Sequence, residues 1–169
     1  MKSVLEYLEK TEAKYSSKIA VIEENKNITY KELVENSQKV GSSLITDILP
    51  REPVAIVMEK GINALISFFG TIYAGGFYCL LNPELPTARL EKILEKLEAK
   101  VIITDKENIN IAREIGKENK ILLIEDVLKN KINFEELKRI REQTLDVDPL
   151  YANFTSGSTG IPKGVLVGH

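Results

Sequence analysis

The chain has 169 residues, 43% of them hydrophobic, and its 23 Lys and Arg against 25 Asp and Glu leave a formal net charge of −2. That apolar content supports a real core and excludes a disordered tail; the near balance of charge argues against a nucleic-acid binder; and a domain of about this size needs no disulfide or metal staple. One cysteine, Cys79, and one histidine, His169, exclude an intramolecular disulfide, a multi-thiolate zinc site and a zinc site built on paired histidines.

The start, MKSVLEYLEK, mixes apolar and charged residues at helical spacing, unlike the uninterrupted apolar stretch of a signal peptide. Ser3 and Glu6 have capping-box spacing, and Leu5, Leu8 and Tyr15 share a face, so a helix is expected from Val4 to Tyr15. Ile19 to Ile22 is a short apolar run of strand type, and Glu24 to Asn27 a polar turn. Thr29 and Glu32 form a second capping box, after which Leu33, Val34, Ser37, Val40 and Leu44 follow at helical spacing. Pro50 and Pro53 bound a linker, and Val54 to Met58 is a continuous apolar run, as expected of a strand covered on both faces.

Ile62, Leu65, Ile66, Phe69 and Tyr73 define a deeply buried helix that Gly75-Gly76 should end through a left-handed glycine. Phe77 to Leu81 reads as a strand stopped by Asn82-Pro83. The apolar zone from Ala64 to Leu81 is therefore a buried helix and strand, too broken for a membrane span, and a cytoplasmic location is expected. Pro86 opens a helix with Leu90, Ile93, Leu94 and Leu97 on its inward stripe. Val101 to Thr104 is a strand, Ile109 to Ile115 a short helix, and Ile121 to Ile124 a further strand. Lys129 to Asp148 is the most polar stretch, with Phe134, Leu137 and Ile140 suggesting a short exposed helix amid loop. Strands alternating with helices from residue 19 to 124 predict an α/β fold with a largely parallel sheet flanked by helices.

The chemistry is concentrated at the end. An apolar and aromatic run, Leu150 to Phe154, leads into Thr155-Ser156-Gly157-Ser158-Thr159-Gly160-Ile161-Pro162-Lys163-Gly164-Val165. Glycines let backbone approach a ligand closely, exposed N–H groups and hydroxyls can wrap phosphate oxygens, and Lys163 adds a positive charge. A Walker loop is excluded, because Lys163 is preceded by Pro162 and followed by Gly164. A dinucleotide fingerprint is excluded, because the second residue after Gly157 is Thr159. A flexible Ser/Gly linker is the remaining alternative, and the preceding strand and the embedded Pro-Lys-Gly argue against it.

TSGSTGIPKGV resembles the signature loop of the AMP-forming adenylating enzymes: acyl-CoA synthetases, luciferases and the adenylation domains that load carrier proteins. ITYKEL, Ile28 to Leu33, is similar to the family's early strand-to-helix element. GTIYAGGFYCLLNPELPTARL, Gly70 to Leu90, is similar to its helix, glycine turn, strand and Pro-x-x-Pro-x-x-Arg segment, and Val101 to Asp105 to the strand that follows. The resemblance spans about Tyr15 to His169. Its flavour is closest to amino-acid adenylation domains and D-alanine-activating ligases, from whose usual Asp-Pro the Asn82-Pro83 pair departs.

The resemblance implies that residues 1–169 are the N-terminal portion of an AMP-binding adenylation domain, with the remaining core and C-terminal domain absent. The implied reaction uses ATP and Mg2+, makes an acyl-adenylate from a carboxylate such as an amino acid, and passes the acyl group to a thiol of coenzyme A or a carrier protein. Carried over residue by residue, Thr155, Ser156, Gly157, Ser158, Thr159, Gly160, Lys163 and Gly164 would hold ATP phosphates. Lys163 and Thr159 would act on the reacting phosphates, and Thr159 would lie near the magnesium, whose protein ligand is expected in the missing part. His169 is expected to be structural. The isolated chain is expected to be inactive; a stand-alone nucleotide- or phosphate-binding module and a non-enzymatic interaction remnant are the alternatives. An apolar face left exposed would favour self-association. No nucleic-acid or membrane partner is expected.

Overall fold

A computed structural model describes residues 3–155 and 163–169. Helix α1 (Leu5–Tyr15) packs Leu5 and Leu8 inward. Strands β1 (Ile19–Glu23) and β2 (Lys26–Thr29) form an antiparallel hairpin with Glu23 opposite Lys26. The polar turn expected over Glu24 to Asn27 is thus confined to Glu24 and Asn25, with Glu24 at φ 48°. A turn that tight allows only antiparallel pairing, and β1 and β2 form a two-stranded sheet of their own. Helix α2 (Tyr30–Leu44) starts at the expected capping box: Thr29 Oγ1 accepts from the Glu32 amide, and Glu32 Oε2 accepts from the Thr29 amide.

Next come β3 (Pro53–Val57), α3 (Ile62–Tyr73), β4 (Phe77–Leu81), α4 (Thr87–Leu97), β5 (Val101–Thr104), α5 (Ile109–Ile115), β6 (Lys120–Leu123) and α6 (Ile124–Val127). The chain continues through α7 (Phe134–Gln143) to β7 (Pro149–Thr155) and β8 (Lys163–Gly168). Helix α3 ends as expected. Gly75 takes φ 79°, its amide donates to Ile72, and the Gly76 amide donates to Thr71, the paired bonds of a left-handed helix stop.

Among the described residues the main sheet has the order β6-β5-β3-β4-β7-β8. Its first five strands run parallel, and β8 is antiparallel to β7. Side chains alternate across it. Val54, Ile56 and Met58 join α1, α2, α3, α6 and α7 in one cluster, whereas Ala55 and Val57 join α4 and α5 in the other. The result is the predicted largely parallel sheet with helices on both faces.

Besides β2, three elements differ in part from the sequence expectation. Ile124 starts α6 rather than ending a strand, and it is fully buried in the cluster that includes Val54, Val101 and Ile103. Helix α7 forms where expected and is exposed along most of its length, Phe134 included, but it buries one face: Leu137 and Ile140 are buried, and Ile140 Cγ2 lies 2.8 Å from where a Cβ on Gly75 would stand. Strand β8 is not among the strands expected from the sequence, since its apolar run is only Val165 to Val167, between Gly164 and Gly168 within the strand.

Candidate phosphate-binding hairpin

The parallel strands bring the carboxyl ends of β3, β4 and β7 to one edge of the sheet, the edge where ligands bind in open α/β folds. Strand β7 is fastened to β4 by aromatic stacking in the amino-terminal halves of the two strands. Phe68 of α3 stacks on Tyr78 of β4 with centroids 4.2 Å apart, and Tyr78 stacks on its ladder partner Tyr151 at 5.8 Å. Burial and the neighbouring Tyr151 raise the Tyr78 hydroxyl pKa.

Strand β7 then runs out to Thr155, which pairs directly with Lys163 at the start of β8. Directly opposed residues in an antiparallel ladder point to the same face. Thr155 and Lys163, both exposed, therefore project from the same face of the ladder at the mouth of the hairpin. Phe154 pairs with Gly164, and a Cβ on Gly164 would stand 3.0 Å from the Phe154 ring. Packing alone thus gives Gly164 a reason to be glycine. The structure brings Thr155, Lys163 and Gly164 together; Ser156, Gly157, Ser158, Thr159 and Gly160 lie outside the described residues.

Beside the hairpin is a cleft of about 480 Å³ lined by Met58, Lys60, Leu80, Asn82, Glu84 and Asn153 among others. Lys60 and Asn153 carry no functional expectation from the sequence, and Asn82 enters it only as the strand stop and the departure from Asp-Pro. Asn153 is the one strongly polar residue in an apolar run, which is a signal; Lys60 and Asn82 reach the cleft only through the sheet order. Asn82 Oδ1 accepts from the Glu84 amide at 3.0 Å, forming the turn that ends β4. An aspartate would accept the same backbone bond but could not make the further bond from Asn82 Nδ2 to Glu84 Oε2, at 3.4 Å.

A second cavity, of about 410 Å³, opens where the strand order reverses between β3 and β5. Its carboxylates Glu23, Glu59, Asp105, Glu107 and Glu125 outnumber Lys26, giving a field that repels polyphosphate. The N-terminus of α3 there is already capped, since the Ile62 amide donates to Glu23 Oε2 at 2.6 Å. Electrostatics therefore favour the hairpin for an anionic ligand.

Cys79 is buried in the sheet, and burial pushes its thiol up to about 12, so it is not a nucleophile at neutral pH. Among the described residues no group of three or more His, Cys, Asp or Glu side chains is arranged to hold a metal ion, and no helix is long and apolar enough to cross a membrane. His169 lies away from the hairpin mouth, at the far end of β8, where its Nδ1 accepts from the Val4 amide at 3.2 Å.

A family model described as AMP-binding enzyme matches residues 8–169, and the chain belongs to that family. Zwittermicin A synthase ZmaJ of Bacillus cereus is 35% identical over 152 residues, covering 89% of this chain and 28% of ZmaJ. Tyrocidine synthase 1 of Brevibacillus parabrevis is 24% identical over 169 residues, covering 99% of this chain and 15% of that protein. The N-terminal subdomain of Klebsiella oxytoca NpsA superposes with a TM-score of 0.83 at 22% identity, covering 100% of this chain and 43% of the other. The chain thus has the fold of part of an N-terminal subdomain of an adenylating enzyme and spans less than half the length of each of these relatives.

Proposed function

We propose that residues 1–169 are the N-terminal portion of an adenylation domain in an ATP-dependent, AMP-forming ligase. In the whole enzyme a carboxylate oxygen, that of an amino acid in this reading, attacks the α-phosphorus of ATP. The phosphorus–oxygen bond to pyrophosphate breaks and an acyl-adenylate forms. A thiol then attacks the acyl carbon and AMP leaves, giving a thioester. The carboxylate substrate and a carrier-protein thiol are supported by the synthases among the relatives.

The part of this chain is the hairpin. Thr155 to Gly160, Lys163 and Gly164 hold the phosphates, with Lys163 supplying the positive charge and Thr155 a hydroxyl. Thr159 is placed near Mg2+, which neutralises phosphate charge when bound. The observation that carries the proposal is the direct opposition of Thr155 and Lys163 at the carboxyl edge of the sheet, in a chain of the AMP-binding family.

Calorimetric titration of the 169-residue chain with ATP and Mg2+ tests this. Binding is expected, with a loss of at least about tenfold in Lys163→Ala, the scale of one charge-assisted contact to phosphate. No binding, or binding indifferent to Lys163→Ala, would overturn the assignment of the hairpin. Carboxylate-dependent exchange of labelled pyrophosphate into ATP is expected to be absent in this chain, because the rest of the active site belongs to the remainder of the domain.

A further inference from the structure

The register of the β7–β8 ladder changes along its length. At the base Pro149 pairs with Gly168, whereas Tyr151 pairs with Val167, so the pairing is displaced by one residue between them. The displaced register then runs to the mouth as Asn153–Val165, Phe154–Gly164 and Thr155–Lys163. Carried outward unchanged, the base register would set Asn153 against Gly164 and Phe154 against Lys163. A slip of one residue turns the side chains of a strand to the other face. Lys163 would then leave the face of Thr155 for that of Phe154.

Polarity does not choose between these registers, because Val165, Leu166 and Val167 are apolar at three successive positions of β8. Size chooses instead. The Phe154 ring atoms Cε1, Cζ and Cδ1 lie 3.0, 3.1 and 3.6 Å from where a Cβ on Gly164 would stand. The ring packs against the cluster that holds Leu90, Ile93 and Ala152, so glycine at the facing position is what leaves room for it. In the base register a lysine side chain would have to share that space. An aromatic ring laid over a cross-strand glycine is one of the devices that pin register.

We propose that Phe154 is a positioning residue for Lys163, its ring over Gly164 selecting the register that sets Lys163 on the face of Thr155. The inference rests on the reading of the hairpin as a phosphate site and deepens it. Phe154 lies on the side of the sheet covered by α4 and α5, opposite to the side of Thr155. It therefore acts on a phosphate only through the lysine it places. Loss of the ring changes which face Lys163 occupies, an effect that a merely structural role for Phe154 would not produce.

The test uses the isotope-labelled 169-residue chain and reads register from cross-strand nuclear Overhauser contacts. The parent is expected to show Thr155 opposite Lys163 and Asn153 opposite Val165. Phe154→Leu keeps apolar burial but lacks the ring. It is expected to add a second set of contacts, with position 154 opposite Lys163 and Asn153 opposite Gly164. Phe154→Tyr is expected to keep the parent set alone. Titration with ATP and Mg2+ should show the affinity of Phe154→Leu reduced about threefold or more, as when the competent register falls to about a third of the population. Melting curves show whether each variant is folded, and Gly164→Ala, which crowds the same contact, carries the test if Phe154→Leu is not. The parent register alone in the folded variant would overturn the proposal, whatever the ATP titration shows. So would a slipped register with undiminished ATP affinity in a chain whose affinity depends on Lys163. A slipped register in a chain that binds no ATP, or binds it indifferently to Lys163→Ala, would overturn the phosphate reading and leave Phe154 a determinant of register only.

Discussion

Phe154 and Gly164 face each other across the β7–β8 ladder, with the Phe154 ring occupying the space in which a side chain at position 164 would start. The ring packs against the cluster beneath α4 and α5, so it has little freedom to retreat. Gly164→Ala is expected to destabilise the chain by about 1–2 kcal/mol, the cost of overpacking at a close contact. Phe154→Ala in the same chain should remove most of that increment, because the two substitutions act on one contact. Urea denaturation of the two single variants and the double variant checks this; strictly additive effects would refute it.

The Phe68–Tyr78–Tyr151 stack ties α3, β4 and β7 together at the strand that leads to the hairpin. Tyr78 is its middle member and touches both others, whereas Tyr151 touches one. Each stacked pair contributes about 0.5–1.5 kcal/mol beyond burial. Tyr78→Leu is therefore expected to cost roughly twice what Tyr151→Leu costs, read as the shift in denaturation midpoint at constant slope. Equal losses would show that area burial alone holds β7 in place.

His169 gives the chain a pH dependence of definite sign. Burial, the largest influence, and Arg141 lower its pKa below the ordinary 6.5, against an upward pull from Asp148. Asp148 itself is pushed up by burial, but the Leu145 amide and Arg51 outweigh this and hold it below the usual aspartate value. The neutral imidazole is the form whose Nδ1 can accept the Val4 amide. The unfolded chain takes up this proton first as pH falls, so the stability present above pH 6.5 is lost progressively below it, down to the lowered folded value. Thermal melts at about pH 7.5 and about pH 5.5 should show a lower Tm at the acid pH in the parent chain and a smaller difference in His169→Asn, since His169 is the one histidine. An undiminished difference in the variant would assign the acid sensitivity to other groups.

Much of this fold is legible in the residues because local rules and global burial agree. Thr29 and Glu32 form the capping box that their spacing predicts. Helix α3 occupies the expected Ile62–Tyr73, and Gly75 has the left-handed conformation anticipated for it. The inward stripe Leu90, Ile93, Leu94 and Leu97 is buried throughout. Elements that depend on partners elsewhere are less legible. Helix α7 reads as polar surface, because only Leu137 and Ile140 reveal the face it buries. Strand β2 reads as a turn, because it becomes a strand only by pairing with β1.

The sequence by itself determined the alternation of helices and strands from α1 to β6 apart from β2, the two-faced burial of the parallel strands, and the loop that places the chain among AMP-binding enzymes. Periodicity, capping and glycine placement act over a few residues and can be read without knowing what lies across the molecule. Only the tertiary structure decided that Thr155 and Lys163 stand opposite each other and that Lys60, Asn82 and Asn153 share a cleft beside them. It alone also places Glu23 on the N-terminus of α3, closing that site to an anion. These relationships depend on ladder register and strand order, which join residues far apart in the chain and leave no periodic trace in it.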